Sequence, residues 1–182
     1  GIEIENSMGA DGYSNIAMQN TGGILVFDLP NLPVQGGHSV RIFSNLVIQN
    51  DTPNFAPMGN IVANVPMGTG VMVMANRDIE IFGNQFGGNA TSNIMLIGYR
   101  FAYEDTNYQP LPRNVRVVGN SHGESGFAPS YRGLDQIAAA MGGTIPPVFW
   151  DGSGGMASGI TVDDPVGVLT LGGRFGVPAR PA

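Results

Sequence analysis

The sequence predicts an all-β fold, a right-handed parallel β-helix (solenoid) of about four coils with a C-terminal cap containing one short helix. Three observations predict it: a six-residue phrase that recurs four times, a short aliphatic run ahead of each copy, and bends marked by Gly and Asn at fixed offsets. The phrase is Ala10-Asp11-Gly12-Tyr13-Ser14-Asn15, then Val40-Arg41-Ile42-Phe43-Ser44-Asn45, Ile79-Glu80-Ile81-Phe82-Gly83-Asn84 and Val115-Arg116-Val117-Val118-Gly119-Asn120. Five positions beyond each Asn stand Asn20, Asn50, Asn89 and Ser125. Self-similarity of this kind, with columns that stay in register through insertions, is the signature of a stacked solenoid.

The first strand of each coil is read from Ile2-Glu3-Ile4, Ile24-Leu25-Val26, Val71-Met72-Val73 and Ile94-Met95-Leu96, which are β-branched and aliphatic runs. Stacked parallel coils lie about 4.8 Å apart, so equivalent positions form ladders. The inward ladder joins these runs to Val40 and Ile42, Ile79 and Ile81, and Val115 and Val117. Tyr13, Phe43, Phe82 and Val118 form a further, aromatic-rich column at the end of the second strand. The Asn columns mark corners, because Asn tolerates left-handed backbone and hydrogen-bonds to the adjacent coil. On the outward face of the second strand, Asp11, Arg41, Glu80 and Arg116 alternate in sign from coil to coil. Exposed pairs of this kind contribute a few tenths to about 1 kcal/mol each and serve register and solubility.

The coils span 1–127, and residues 128–182 form a cap or tail with a short helix near 132–141, read from Arg132 to Met141 and ended by Gly142-Gly143. The outward positions of the first strand are Glu3 and Glu5, then Leu25, Phe27, Met72, Met74, Met95 and Ile97. Such an apolar strip needs a cover, either the tail from about residue 126 or another protein chain, so the last six residues are partner-contact candidates. Capping of the open solenoid end is the use expected for the helix and Trp150.

Composition narrows the function. Eight basic against fourteen acidic residues, a formal net charge of -6, argue against nucleic acid, whose affinity rests on clustered cations. No apolar run approaches the roughly 20 residues of a membrane span. There is no Cys. The opening GIEIENS begins inside a strand pattern, so further coils are expected before Gly1, and association through an open N-terminal coil exposing Ile2 and Ile4 is expected with it.

Insertions at 28–39 and 98–114 fall at the corner between first and second strands, on either side of a coil that offers only Ala75-Asn76-Arg77-Asp78 there. A cleft between them would have Arg77 and Asp78 on its floor and Asp28, His38, Tyr99, Arg100, Tyr103, Glu104, Asp105 and Tyr108 on its walls. Aromatic, carboxylate and Arg groups on long loops suit sugar binding. A third insertion, 51–69, lies at another corner and is rich in Pro, Asn and Met. No metal site and no cofactor are predicted: His38 and His122 lack zinc-ligand spacing, and GADG and GGNATSN lack the nonapeptide repeat that calcium requires. No catalytic set is defined, and Asp163-Asp164 reads as a solvated acidic pair outside the repeats.

GIEIENS, GGILVFDLPNLPVQGG, GNIVANVPMGTGVMVMA, the recurring phrase and PPVFWDG resemble an uncharacterised bacterial family of right-handed parallel β-helix repeat proteins, over roughly residues 1 to 150. The resemblance implies a pectate-lyase-like fold and an exported protein, secreted, periplasmic or at the cell surface, and it transfers no catalytic residue. The leading expectation is a β-helix binding or assembly scaffold with a polysaccharide or protein partner. The alternative is a polysaccharide lyase, hydrolase or epimerase using the cleft around Arg77, Asp78, Arg100, Glu104 and Asp105.

Overall fold

The computed structural model describes residues 1–172. Its strands form three sheets in which every pairing described is parallel, an all-β solenoid pattern with one α-helix, α1 (Leu134–Ala140). The first sheet stacks β1 (Ile2–Glu5), β4 (Gly22–Phe27), β7 (Thr69–Met74), β10 (Ser92–Ile97), β13 (Val148–Trp150) and β15 (Val168–Thr170) in that order. The second stacks β2 (Asp11–Tyr13), β5 (His38–Phe43), β8 (Arg77–Phe82), β11 (Arg113–Val118) and β14 (Thr161–Val162). The third stacks β3 (Ile16–Met18), β6 (Leu46–Ile48), β9 (Gln85–Gly87) and β12 (Ser121–His122). The register is the columnar one: Ile24 pairs with Val71 and Val71 with Ile94, while Arg41 pairs with Asp11 and Glu80, and Glu80 with Arg116.

Inside the three sheets runs one core in which Ile24, Val26, Val71, Val73, Ile94 and Leu96 meet Val40, Ile42, Ile79, Ile81, Val115 and Val117. The segment after residue 128 extends these sheets. Val148 sits in register with Ile94, and Val162 with Val117, so Val148 and Trp150 belong to the inner core.

The corners carry most of the polar burial. At the first corner column Asn45 is 2 % and Asn84 1 % exposed. Each Asn backbone N–H and side-chain Nδ2 donates to the Oδ1 of the next Asn, at 3.0 and 3.0 Å for Asn15 to Asn45, 3.0 and 2.9 Å for Asn45 to Asn84, and 3.0 and 2.9 Å for Asn84 to Asn120. The second hydrogen of each amide goes to a carbonyl one coil back, Gly12, Ile42 or Ile81. These buried amides therefore have their donors and acceptors used, which is what a buried polar group requires. The left-handed residue at this corner is not the Asn but the residue before it: Ser14, Ser44, Gly83 and Gly119 have φ of 55°, 55°, 62° and 67°. Turning the chain there aims the following Asn side chain inward.

The second Asn column repeats the scheme from Asn20 to Asn50 to Asn89. It stops where the column changes to Ser125. Asn89 then donates instead to Asn93 Oδ1 at 2.8 Å. Asn93 occupies the stack position held by Gly23 and Gly70 in earlier coils, where a Cβ would come within 3.0 Å of the Asn50 and Asn89 amides.

Candidate functional site

The two insertions expected to flank a cleft fold onto each other. Asp28 is 2 % exposed, and its carboxylate accepts the N–H groups of Gly36 and Gly37 at 3.0 and 2.9 Å. Its carbonyl accepts the Tyr108 hydroxyl at 2.6 Å. Burial pushes the Tyr108 phenol well above its ordinary range, so this group stays a donor. Tyr99, Tyr103 and Tyr108 meet edge to face at 5.0–6.1 Å, with Phe101 against Tyr99. The Asn107 backbone N–H holds the Asp105 carboxyl below the usual range, helped by the Gln35 side chain from the other insertion. Glu104 is exposed. Arg100 turns away to Asp151, whose buried Oδ2 it meets at 2.9 Å. His38 Nδ1 lies 2.9 Å from Ser39 Oγ, and Arg77 pairs with its neighbour Asp78. Of the ten residues expected to line one cleft, Asp28, Tyr99, Tyr103, Asp105 and Tyr108 thus pin the two loops together, while Arg77 and Asp78 open onto a different surface.

The apolar strip is covered by the chain itself. Leu25, Phe27, Met72, Met74, Met95 and Ile97 are each 6 % exposed or less and form a second core with Leu134 and Ala138 of α1, Val65 of the third insertion, Tyr108, Ile145 and Phe149. The helix lies on the strip, and the end-capping use expected for it and Trp150 is not the one seen.

The outward face of the second sheet is open. A groove of about 430 Å³ there is lined by Ser39 and Arg41 of β5, Asp78 and Glu80 of β8, and Asn114 and Arg116 of β11. Alternation aims Arg41, Glu80 and Arg116 out while Val40, Ile79, Ile81, Val115 and Val117 point in, and Ser39, Asp78 and Asn114, each one residue before an inward position, hold left-handed φ of 57°, 57° and 52°. Arg41 also binds Asp11, Nε to Oδ1, at 2.8 Å, and its guanidinium lies 5.7 Å from the Phe43 ring centre. Asn114 Nδ2 donates to Asp78 Oδ1 at 2.6 Å. That bond, with Arg77 beside it, holds the Asp78 carboxyl below the ordinary carboxylate range despite some burial. Tyr13, Phe43 and Phe82, in one register column, stack at 5.1 and 4.9 Å with ring planes parallel to within 6° and 3°, so that both faces of Phe43 are used by its neighbours.

Two acidic and one imidazole group gain roles that their sequence positions did not disclose. Asp164, read as solvated, is 6 % exposed and accepts Asn120 N–H and Nδ2 at 2.9 Å each, so it terminates the first Asn ladder. His122 stacks on Phe86 at 5.3 Å, and its Nε2 meets Asp164 Oδ2 at 2.8 Å while its Nδ1 faces Asn93 Nδ2 at 3.3 Å. An amide nitrogen only donates, so the Asn93 contact assigns Nδ1 as acceptor and places the Nε2–H toward Asp164. The two ladders therefore end in one buried network, Asn89–Asn93–His122–Asp164–Asn120. Its His–Asp pair is 1 % and 0 % exposed at the side chains, so it is a structural junction closed to substrate. Asp151, the second acid, accepts Gly98 and Ser153 N–H groups as well as Arg100. Among the described residues no cluster of three or more His, Cys, Asp or Glu is arranged to hold a metal ion, and no helix is long and apolar enough to cross a membrane.

No family model, curated protein or solved structure matches the chain.

Proposed function

We propose that the chain is an exported, right-handed parallel β-helix that acts as a binding scaffold, with a neutral polysaccharide lying across the outward face of its second sheet. The observation that carries this reading is the donor and acceptor pattern of the groove. Arg41 and Arg116 bring donors, Asp78 and Glu80 acceptors, and Ser39 and Asn114 both, with Arg116 also 3.6 Å from the exposed Asp163. Adjacent strands repeat these groups at intervals of about 4.8 Å. A polyol needs such a mixture, whereas a polyanion needs donors alone. The resemblance to exported bacterial β-helix proteins supports the cellular setting. A protein partner seated on the apolar strip loses its support, because that strip lies inside the second core.

One observation favours the enzymatic alternative. Asp78 and Glu80 stand two residues apart on one strand and both line the groove, a pair of carboxyl groups of the kind glycosidases use. Catalysis of that kind pairs a protonated carboxyl with an ionised one; Asp78, held low by Asn114 and Arg77, suits only the ionised role, and its two oxygens are already taken by those groups. Binding is therefore the preferred reading.

The test is a glycan array on the whole protein, followed by titration of the best ligand against Glu80→Ala and Arg116→Ala. Loss of two charged hydrogen-bonding groups is expected to weaken binding at least tenfold in the double variant, roughly, with little dependence on salt. An array without a binder, or variants that bind as well as the parent, would defeat the proposal. Release of reducing ends or unsaturated products would transfer the site to the enzymatic reading.

A further inference from the structure

The outer face of the first sheet carries a second cavity, of about 420 Å³, independent of the sugar groove. Its floor is Phe27, Met72, Met74 and Ile97, part of the strip that α1 covers elsewhere. One wall is the 3₁₀ turn Ile61–Asn64 of the third insertion, and the other is the tail at Ser130, Tyr131 and Arg132. The walls are fixed before any ligand arrives. Asn54 Nδ2 donates to the carbonyls of Val62 and Val65 at 2.9 and 3.0 Å, and Ser130 and Thr91 hydroxyls both donate to the Met67 carbonyl at 2.9 and 2.6 Å. A preformed, mostly apolar cavity of this size with a few fixed polar groups is the usual form of a small-molecule site.

The polar groups at the mouth have one sign. Arg100 and Arg132 line it and no carboxylate does, in a chain with fourteen acids and eight bases. Arg100 is already engaged by Asp151, whereas Arg132 forms no salt bridge among the described residues and lies 5.7 Å from the Tyr131 ring centre. Arg132 also holds φ at 32°, a left-handed backbone that a residue with a side chain adopts at a cost. The insertion that supplies the wall also carries Phe55 and Met58, 85 % and 98 % exposed. Methionine at Met67, Met72 and Met74 supplies a deformable lining that adapts to a flexible chain.

We infer that this cavity binds a free, single-chain amphiphile with an anionic head, a medium-chain carboxylate, with its chain on the methionine floor and its carboxylate on Arg132. Calorimetric titration with decanoate, decanol and acetate tests the inference on the full chain. Decanoate is expected to bind at one site below its aggregation concentration, decanol roughly tenfold more weakly for want of the charge-assisted bond, and acetate not measurably. Arg132→Gln should bring decanoate down to the level of decanol, and Ala63→Trp, placed on the wall, should block both. Vesicles of an anionic phospholipid form a further arm: binding to them with no binding of decanoate overturns the free-ligand assignment. Equal binding of decanoate and decanol, or saturable binding unchanged in Arg132→Gln, overturns it as well. If Ala63→Trp does not fold, the head-group comparison and Arg132→Gln still decide.

Discussion

Replacing Asn84 by Ala removes a side-chain amide that takes part in five hydrogen-bonding relations at the centre of the first ladder. In the parent, Asn84 Oδ1 accepts Asn45 N–H and Nδ2, and its own Nδ2 donates to Asn120 Oδ1, Ile42 O and Phe82 O, while its backbone N–H also reaches Asn120 Oδ1. In the variant Asn120 Oδ1 keeps the backbone donor, and Asn45 Nδ2 keeps Gly12 O. The Asn45 N–H loses its acceptor outright in a site 1–2 % exposed. A buried group left without a partner costs about 1–3 kcal/mol, and the partial losses bring the expected destabilisation to roughly 2–4 kcal/mol. For a chain of this length that is a fall in Tm of about 6–12 °C. Asn15→Ala is the internal control: Asn15 only donates along the ladder and is half-buried, so its loss should cost under about 1 kcal/mol. Urea and thermal unfolding followed by far-UV circular dichroism measure both. A loss at Asn84 no larger than that at Asn15 would refute the idea that the buried ladder holds the coils in register.

Three further outcomes follow from the same geometry. Asp164 has a folded-state carboxyl held below its ordinary value by His122 and Asn120 against the opposing effect of burial, so its contribution is full above the unfolded carboxyl value and lost as pH falls through the depressed one; the stability gap between parent and Asp164→Asn should therefore narrow as pH falls below the ordinary carboxylate range, and a gap that widens would contradict the junction. Gly83→Ala places a methyl in open space at φ 62°, so chemical denaturation should show a loss of about 1 kcal/mol from backbone strain alone, and a stabilised variant would show that the corner does not need the left-handed residue. Tyr108→Phe deletes the bond to Asp28 O and should cost about 1 kcal/mol and speed hydrogen exchange at Gly36 and Gly37, with unchanged exchange indicating that the loops are not coupled.

Much of the fold was legible because each repeat is read twice, once in the inward aliphatics and once in the Asn offset. Val40, Ile79 and Val115 announced one column, and the alternating ladder of Asp11, Arg41, Glu80 and Arg116 stands in the register that their spacing implied. The later strands were not legible as strands. Val148-Phe149-Trp150 lacks the β-branched alternation of the earlier runs, and Thr161-Val162 is followed by Asp164, not Asn, one position early in the count. Stacking lets a carboxylate replace an amide at the end of a ladder, where acceptors alone are needed, so the substitution that hid the corner is the one that terminates it. The cleft residues misled for a different reason. Tyr99, Tyr103 and Tyr108 have the composition of a sugar site, but sequence does not distinguish aromatic groups that face a ligand from those that close a loop on its neighbour. Arg41, Glu80 and Arg116 were visible as outward positions, whereas Ser39 and Asn114 stood only at the ends of insertions and Asp78 was placed in the other cleft; only stacking brings them into one groove.

The most direct measurement of the central claim is amide chemical-shift mapping of the protein by NMR during titration with the oligosaccharide selected by the array. The account predicts that the shifts concentrate on β5, β8 and β11, at Ser39, Arg41, Asp78, Glu80, Asn114 and Arg116. Shifts confined to the 98–113 loop or to the first sheet, with those six residues unmoved, would contradict it.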